Sequence, residues 1–351
     1  MTDISVIGID TAKNTFEVCG KTALGRVVLR KKLRRGQMIE FLAQQPSGTK
    51  IAMEACGGSN YWGRECFNLG LEARLMAPQF VKPYVKTNKH NRADAEAIAE
   101  AALRPTMRFV SVKTVQQQDM LSTHRVRSRL VGQSTALTNE MRGLLQEYGV
   151  VMAPGAKRFR KEFHAVLEAN KDKLSSKAIE LFSDLRKELS ELDSRIEKYE
   201  KTIETDAEMH PISKRLMDEI PGIGPITANA LVAAVGDPKQ FKNGRQFAAW
   251  LGLVPRQHST GDKQTLLGIS KRGDTYLRML LIHGARNVVR FASKHSDRRS
   301  TWVMELAKRR GINRATVALA NKNVRVAWVL MTNPNAVFNS NHVPEKYKEA
   351  A

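Results

Sequence analysis

Two short apolar runs each end on an acid: Val6-Ile7-Gly8-Ile9 leads into Asp10, and Ile51-Ala52-Met53 into Glu54. Short apolar and β-branched runs bounded by turn formers predict strands. Up to residue 110 such runs alternate with helical patterning, which argues an α/β domain. Strands are predicted at 4–10, 15–19, 26–30, 50–55 and 74–77, and helices at 36–45, with Met38, Ile39, Phe41 and Leu42 on the apolar side, and at 61–69. A carboxylate at the tip of a buried strand is costly unless a cation meets it, and a metal ion is the usual solution.

A hairpin, a third strand, a helix and then further strands is the order expected of a ribonuclease-H-like fold, where acids collect at the ends of neighbouring central strands. The next acidic cluster, Asn91-Arg92-Ala93-Asp94-Ala95-Glu96, opens an Ala-rich helix that would aim Asp94 back toward Asp10 and Glu54.

The remainder reads as helical. Residues 115–148 carry Arg125, Arg127, Arg129 and Arg142, either a solvated face or one that tracks a phosphate backbone. Beyond Pro154-Gly155, the positions Phe182, Leu185, Leu189, Leu192, Ile196, Tyr199 and Ile203 form a heptad seam, suited to a dimer contact or to an internal helical hairpin. Ile220-Pro221-Gly222-Ile223-Gly224-Pro225, ahead of an apolar stretch at 226–235, is a helix-hairpin-helix signature. Its glycines, Gly222 and Gly224, permit a tight turn whose amides can face a phosphate. Further on, Ser259-Thr260-Gly261 sits in a predicted loop among Arg256, Lys263, Lys271, Arg272 and Arg278. Cations beside a serine can hold the phosphate it attacks, although a Ser-Thr-Gly loop taken alone is usually a turn or a helix cap. The segment 286–325 is basic and helical, with Trp302 and Trp328 read as core packing, and the tail after Asn333 has few apolar anchors.

Composition narrows the partner. The 351 residues are 42% apolar, enough for two or three globular domains, and 57 Lys and Arg against 35 Asp and Glu give a net charge of +22. That excess suits neutralisation of backbone phosphates. No apolar stretch is long enough to span a bilayer and the N-terminus has no signal-peptide pattern, so no membrane partner is expected and a cytoplasmic location is predicted. Cys19, Cys56 and Cys66 lack both CxxC spacing and His partners, which argues against zinc or a disulfide framework and for free thiols that are buried or half-buried.

Taken together, GID at 8–10, MEA at 53–55, NKxxxxDAEAI at 88–98, IPGIGP at 220–225, and AWLGLVPRQxSTG with GISKRGD across 249–274 resemble the DEDD transposases of bacterial insertion sequences, relatives of the Piv and MooV DNA invertases. The resemblance runs in order along nearly the whole chain. It implies a RuvC-like metal-binding domain at 1–112, a helical and coiled-coil segment at 113–210, a helical transposase domain at 211–333 carrying the helix-hairpin-helix and serine loop, and a tail at 334–351. The implied activity is RNA-guided recombination in which a bridge RNA pairs with donor and target DNA. Magnesium ions would be bound by Asp10, Glu54 and Asp94, with Ser259 as the nucleophile that becomes joined to DNA. The family's third acid falls on Asn91, whose amide can ligate through oxygen but carries no charge, so metal affinity should fall. A homo-oligomer, dimer or tetramer, and association with the nucleoid are implied as well.

Two other classes compete. An actin-like sugar kinase also begins with GID and a hairpin, but it needs a second glycine-rich phosphate loop, and its substrates give no reason for a +22 charge. A non-catalytic nucleic-acid-binding protein would use the basic segments alone, and Asn91 gives that reading some weight.

Overall fold

The computed structural model describes residues 4–85, 91–261 and 263–341, with Asn91 described in its backbone only. The chain forms two compact units, one of residues 1–118 with 235–242 and the other of residues 119–234 with 243–351.

The first unit is built on a six-stranded sheet of β1 (Val6–Thr11), β2 (Thr15–Lys21), β3 (Val27–Arg34), β4 (Lys50–Glu54), β5 (Glu72–Met76) and β6 (Phe109–Val110), in the order β3-β2-β1-β4-β5-β6. β1 pairs antiparallel with β2 and parallel with β4, and β4 pairs parallel with β5. The predicted strands are all present. β2 and β3 run further than expected, to Lys21 and Arg34, and β6 was not foreseen, because two residues carry no periodicity.

Strand side chains alternate between faces, and the sheet is covered on both. Ile7, Ile9, Phe16, Ile51 and Met53 pack with α1 (Met38–Ala43) and α2 (Ser59–Asn68), through Met38, Phe41, Leu42, Trp62 and Cys66. On the opposite face, Val6, Cys19, Ala52 and Met76 pack with Val81 of the short α3 (Pro78–Val81) and with the alanines and Ile98 of α4 (Asn91–Ala102).

In the second unit, α5 (Val115–Glu147) runs antiparallel to α7 (Ser176–Met209): Arg127 pairs with Glu200, and, two helical turns on, Ser134 donates to Asp193. α6 (Ala156–Ala169) caps this pair, with Phe159 against Phe163 and Phe163 meeting Phe182 of α7. The heptad seam of α7 is therefore covered within the chain, by α5 and α6. Of the two readings of the seam, the internal hairpin is the one observed; periodicity reports that a face is buried but not what buries it.

α8 (Pro211–Glu219), α9 (Pro225–Val235), α10 (Gly244–Trp250), α11 (Thr275–Phe291), α12 (Arg298–Arg310) and α13 (Ile312–Thr332) complete the unit, with α13 packed on α8, α10, α11 and α12. Helix is broken by one hairpin, β7 (Pro255–Thr260) with β8 (Lys263–Ile269). Part of the expected loose tail is tied down: Arg215 donates to the carbonyls of Leu330, Asn333 and Ala336, and Glu219 accepts from the Phe338 amide. Among the described residues, no helix is long and apolar enough to cross a membrane.

Candidate functional site

Asp10 follows Ile9 on β1, and Glu54 follows Met53 on β4; Ile9 and Met53 are register partners on parallel strands. The two acids therefore end neighbouring central strands side by side. Both are half-buried. The strand ends are also linked just beyond, where the Thr11 hydroxyl and the Cys56 thiol lie 3.0 Å apart. Cys19 and Cys66 are buried, and burial pushes the Cys66 thiol up to about 12, whereas Cys56 is exposed rather than buried or half-buried as expected.

Alternation assigns the face. Ile9 and Met53 point to α1 and α2, so Asp10 and Glu54 share the opposite face with Gly8 and Ala52, the face α4 covers. Gly8 sets how closely α4 approaches: a Cβ there would stand 2.5 Å from both the Ala95 carbonyl oxygen and the Ala99 amide. Asp94 precedes Ala95, which places it on the turn of α4 that crosses β1.

A charged network holds α4 in that position. Lys21, buried in β2, reaches Glu100 at 2.7 Å and Glu96 at 3.6 Å, and Arg30 of β3 reaches Glu96 at 2.6 Å. The Arg30 hydrogen bond holds the Glu96 carboxyl below its ordinary range. Stripping the partners from buried Lys21 would cost several kcal/mol, on the order of 3–5, whereas the more exposed Arg30–Glu96 pair adds about 1 or less, so the network fixes the helix more firmly than an alanine stripe would alone.

Hard carboxylate oxygens in register suit a divalent cation by chemistry. Among the described residues, however, no three His, Cys, Asp or Glu side chains converge as a metal-binding group. The side chain at the third expected position, Asn91, lies outside the described residues. The arrangement thus supplies a carboxylate pair, with Asp94 on the adjacent helix.

In the second unit, the predicted serine loop is a β-hairpin. Ser259 pairs with Gln264, Thr260 with Lys263, His258 with Thr265 and Gln257 with Leu266, and every residue of β7 is exposed. With both faces polar and exposed there was no hydrophobic alternation to signal a strand. Ser259 shares its face with Gln257, whose side-chain amide donates to the serine hydroxyl at 2.8 Å. Thr260 lies on the other face with Lys263, so the two neighbouring hydroxyls are not equivalent.

The hairpin is anchored by interlocked glycines. Gly252, at φ +73°, passes so close to Arg272 that a Cβ would lie 1.9 Å from its carbonyl oxygen; Gly273, at φ +88°, bears the same relation to the Trp250 carbonyl. The amides of Ser270 and Lys271 donate to the carbonyls of Val254 and Gly252, closing the base. Arg278, expected to contact phosphate, is instead 8% exposed and donates to the carbonyls of Leu251 and Arg272 and to the Thr275 hydroxyl. The cause is local: a guanidinium on the first turn of α11 faces the hairpin base and satisfies its carbonyls. Arg256, Lys263, Lys271 and Arg272 remain exposed.

The PGIGP turn joins α8 to α9, but its glycines differ. Gly222, at φ +90°, abuts Gly284 of α11, where a Cβ on Gly284 would come 1.8 Å from the Gly222 carbonyl oxygen. Buried Arg299 and Asn323 both donate to the Pro221 carbonyl. The Gly222 side of the turn is thus packing surface, whereas a Cβ on Gly224 would meet nothing within 4 Å. Trp302 and Trp328, read as core residues, are each only half-buried.

Comparison with known proteins completes the picture. The DEDD transposase model of the IS110 group matches residues 7–150, and the model described as Transposase IS116/IS110/IS902 family matches residues 214–300. The transposase for insertion sequence element IS1111A of Coxiella burnetii is 47% identical over 332 residues, covering 95% of this chain and 91% of its own. A probable family 20 transposase of Pseudomonas aeruginosa is 51% identical over 334 residues, covering 94% and 97%. The pilin gene-inverting protein of Moraxella bovis is 39% identical over 69 residues, 19% of this chain and 21% of its own.

Proposed function

Since the chain belongs to the IS116/IS110/IS902 family of insertion-sequence transposases, we propose that it cuts and rejoins DNA through a covalent phosphoserine intermediate at Ser259, assisted by the carboxylates of a RuvC-like unit. The observation that carries this reading is the in-register pair Asp10 and Glu54 at the ends of adjacent parallel strands, with Asp94 on the helix that crosses them.

In the proposed step the Ser259 oxygen forms a bond to the scissile phosphorus while the bond from phosphorus to one deoxyribose oxygen breaks. The serine proton passes to solvent, and the departing oxygen takes up a proton to become a strand-end hydroxyl. A second strand-end hydroxyl then attacks the phosphoserine, releasing the serine and joining new partners without loss of the phosphodiester. The Gln257 amide orients the Ser259 hydroxyl before attack. Arg256, Lys263, Lys271 and Arg272, on and beside the hairpin, supply phosphate contacts. A divalent cation, magnesium in this reading, would be held by the Asp10 and Glu54 pair, with Asp94 and the uncharged Asn91 contributed from α4, and would stabilise charge developing on the phosphate. Gly224 and the first turn of α9 offer a further phosphate contact. Sequence choice is delegated to a bridge RNA that pairs with donor and target DNA, a reading supported by the family resemblance, and the active species is a homo-oligomer.

The test incubates the protein, carrying the RNA that copurifies with it, with DNA bearing the element's ends, and resolves products on denaturing gels. Wild type gives a protease-sensitive protein–DNA adduct, and Ser259→Ala abolishes it. Glu54→Gln lowers its yield by about 10² or more, the scale on which a lost electrostatic stabiliser acts. An undiminished adduct from Ser259→Ala would refute the nucleophile.

A further inference from the structure

Within the second unit, residues of α10, α12 and α13 line a groove of about 1930 Å³, with β8 along one wall and residues 336–340 along another. Its rim carries Arg245, Arg298, Arg310, Arg314, Lys322 and Arg325, and among the described residues no Asp or Glu lines it. Among the described residues, none of these six cations forms an ion pair. The floor is apolar, with Leu253, Ile269, Leu306, Val317 and Val326, and both Trp302 and Trp328 open onto it. Lys322 lies 4.6 Å from the centre of the Trp302 ring, so a flat aromatic surface and a cation stand together.

We propose that this groove binds single-stranded nucleic acid, its unpaired bases against Trp302 and the apolar floor and its phosphates against the arginine rim. The proposal deepens the reading of the chain as a nucleic-acid-processing enzyme and rests on it. Charge complementarity makes the occupant a polyanion. The apolar floor makes it single-stranded, because a duplex presents phosphates and keeps its base faces stacked inside, whereas a single strand offers those faces to aromatic and apolar side chains. The cations also repel one another: after partial burial, Arg299, Arg298 and Arg325 push the Lys322 ammonium down, and burial takes Arg299 down to about 10. Phosphates lodged among them relieve that repulsion. β8, the groove wall, is the strand paired with the one that carries Ser259, so a strand held here passes beside the serine hairpin.

The experiment measures fluorescence anisotropy of full-length protein with labelled oligothymidylate, oligouridylate and a DNA duplex, each about 20 nucleotides or base pairs long, a span of the order one such binding site occupies. Arg310→Ala with Arg314→Ala should weaken binding of single strands about tenfold and make the salt dependence shallower by about 1.4, two phosphate contacts' worth. Trp302→Ala should weaken it about fivefold or more, and Trp302→Phe, which keeps a stacking surface, should restore most of it. Thermal melts matching wild type confirm that the variants fold, with Trp302→Phe as the conservative control. Whether oligothymidylate or oligouridylate shows the larger loss identifies DNA or RNA as the occupant. Unchanged binding of both single strands, a loss confined to duplex, or a change in sedimentation caused by Trp302→Ala overturns the proposal, the last by revealing a protein interface. Adduct formation provides the separate readout: groove variants that bind single strands like wild type while adducts still form at Ser259 remove the groove and leave the serine chemistry standing. Groove-dependent binding without any adduct does the reverse.

Discussion

Gly8→Ala tests how the acids are brought together. The added methyl would sit 2.5 Å from two backbone atoms of α4, the Ala95 oxygen and the Ala99 nitrogen, and 2.8 Å from the Ala99 methyl. Ordinary contact begins near 3.4 Å, so α4 must withdraw by about 0.9 Å, the difference between 3.4 and 2.5. Backbone cannot rotate away as a side chain can, and the Glu96 and Glu100 ion pairs resist the shift. Overpacking of this kind costs about 1–3 kcal/mol. Because Asp94 travels with the helix, a displacement near 1 Å should also lower strand-transfer rate by about 10²-fold. Chemical denaturation reads the first effect and adduct yield the second. Gly132→Ala is the control: it lies inside α5 with nothing within 4 Å of a Cβ, so it should stabilise by about 0.5–1 kcal/mol through helix propensity alone. A Gly8→Ala protein with wild-type stability and wild-type adduct yield would refute the claim that this contact positions Asp94.

Asn91→Asp should raise magnesium-dependent adduct yield and lower the magnesium concentration needed for half of it, by adding a carboxylate three residues before Asp94; equal titrations for the two proteins would sink the assignment. Gly252→Ala, whose Cβ would lie 1.9 Å from the Arg272 oxygen, should eliminate adduct formation, whereas Gly261→Ala, with nothing within 4 Å, should cost much less; a milder effect at Gly252 would contradict the interlock. Hydrogen bonds from Arg30 and Arg160 hold the carboxyls of Glu96 and Asp193 below their ordinary range. Their contribution to stability is complete above the unfolded carboxylate range, about pH 4, and is lost as pH falls through the lower folded values. Denaturation midpoints should therefore drop on acidification below about pH 4–5, and Asp193→Asn should remove its share of that drop; an unaltered pH profile for the variant would show that the pair contributes nothing.

The acids were legible because a strand ending on Asp or Glu breaks an apolar run at a fixed place, and parallel pairing of the two runs then aligns Asp10 with Glu54. The approach of α4 was not legible: Gly8 reads as an ordinary strand residue until a helix is seen against it. The strand holding Ser259 is not legible because β7 is exposed and polar on both faces, so the period that marks a half-buried strand is absent from it. Arg278 looked like one more cation of the loop, since sequence does not show which carbonyls lack donors. The seam on α7 was seen, but its partners, Leu137 and Met141 on α5 and Phe159 and Phe163 on α6, are set by tertiary packing.

The central claim is that Ser259 takes the phosphate. Digestion of the trapped wild-type adduct followed by tandem mass spectrometry should place a nucleotide on the Ser259 oxygen, with none on Thr260 or Ser270. A nucleotide on Thr260, across the strand beside Lys263, or no nucleotide-bearing peptide from an adduct seen on gels, would contradict the account.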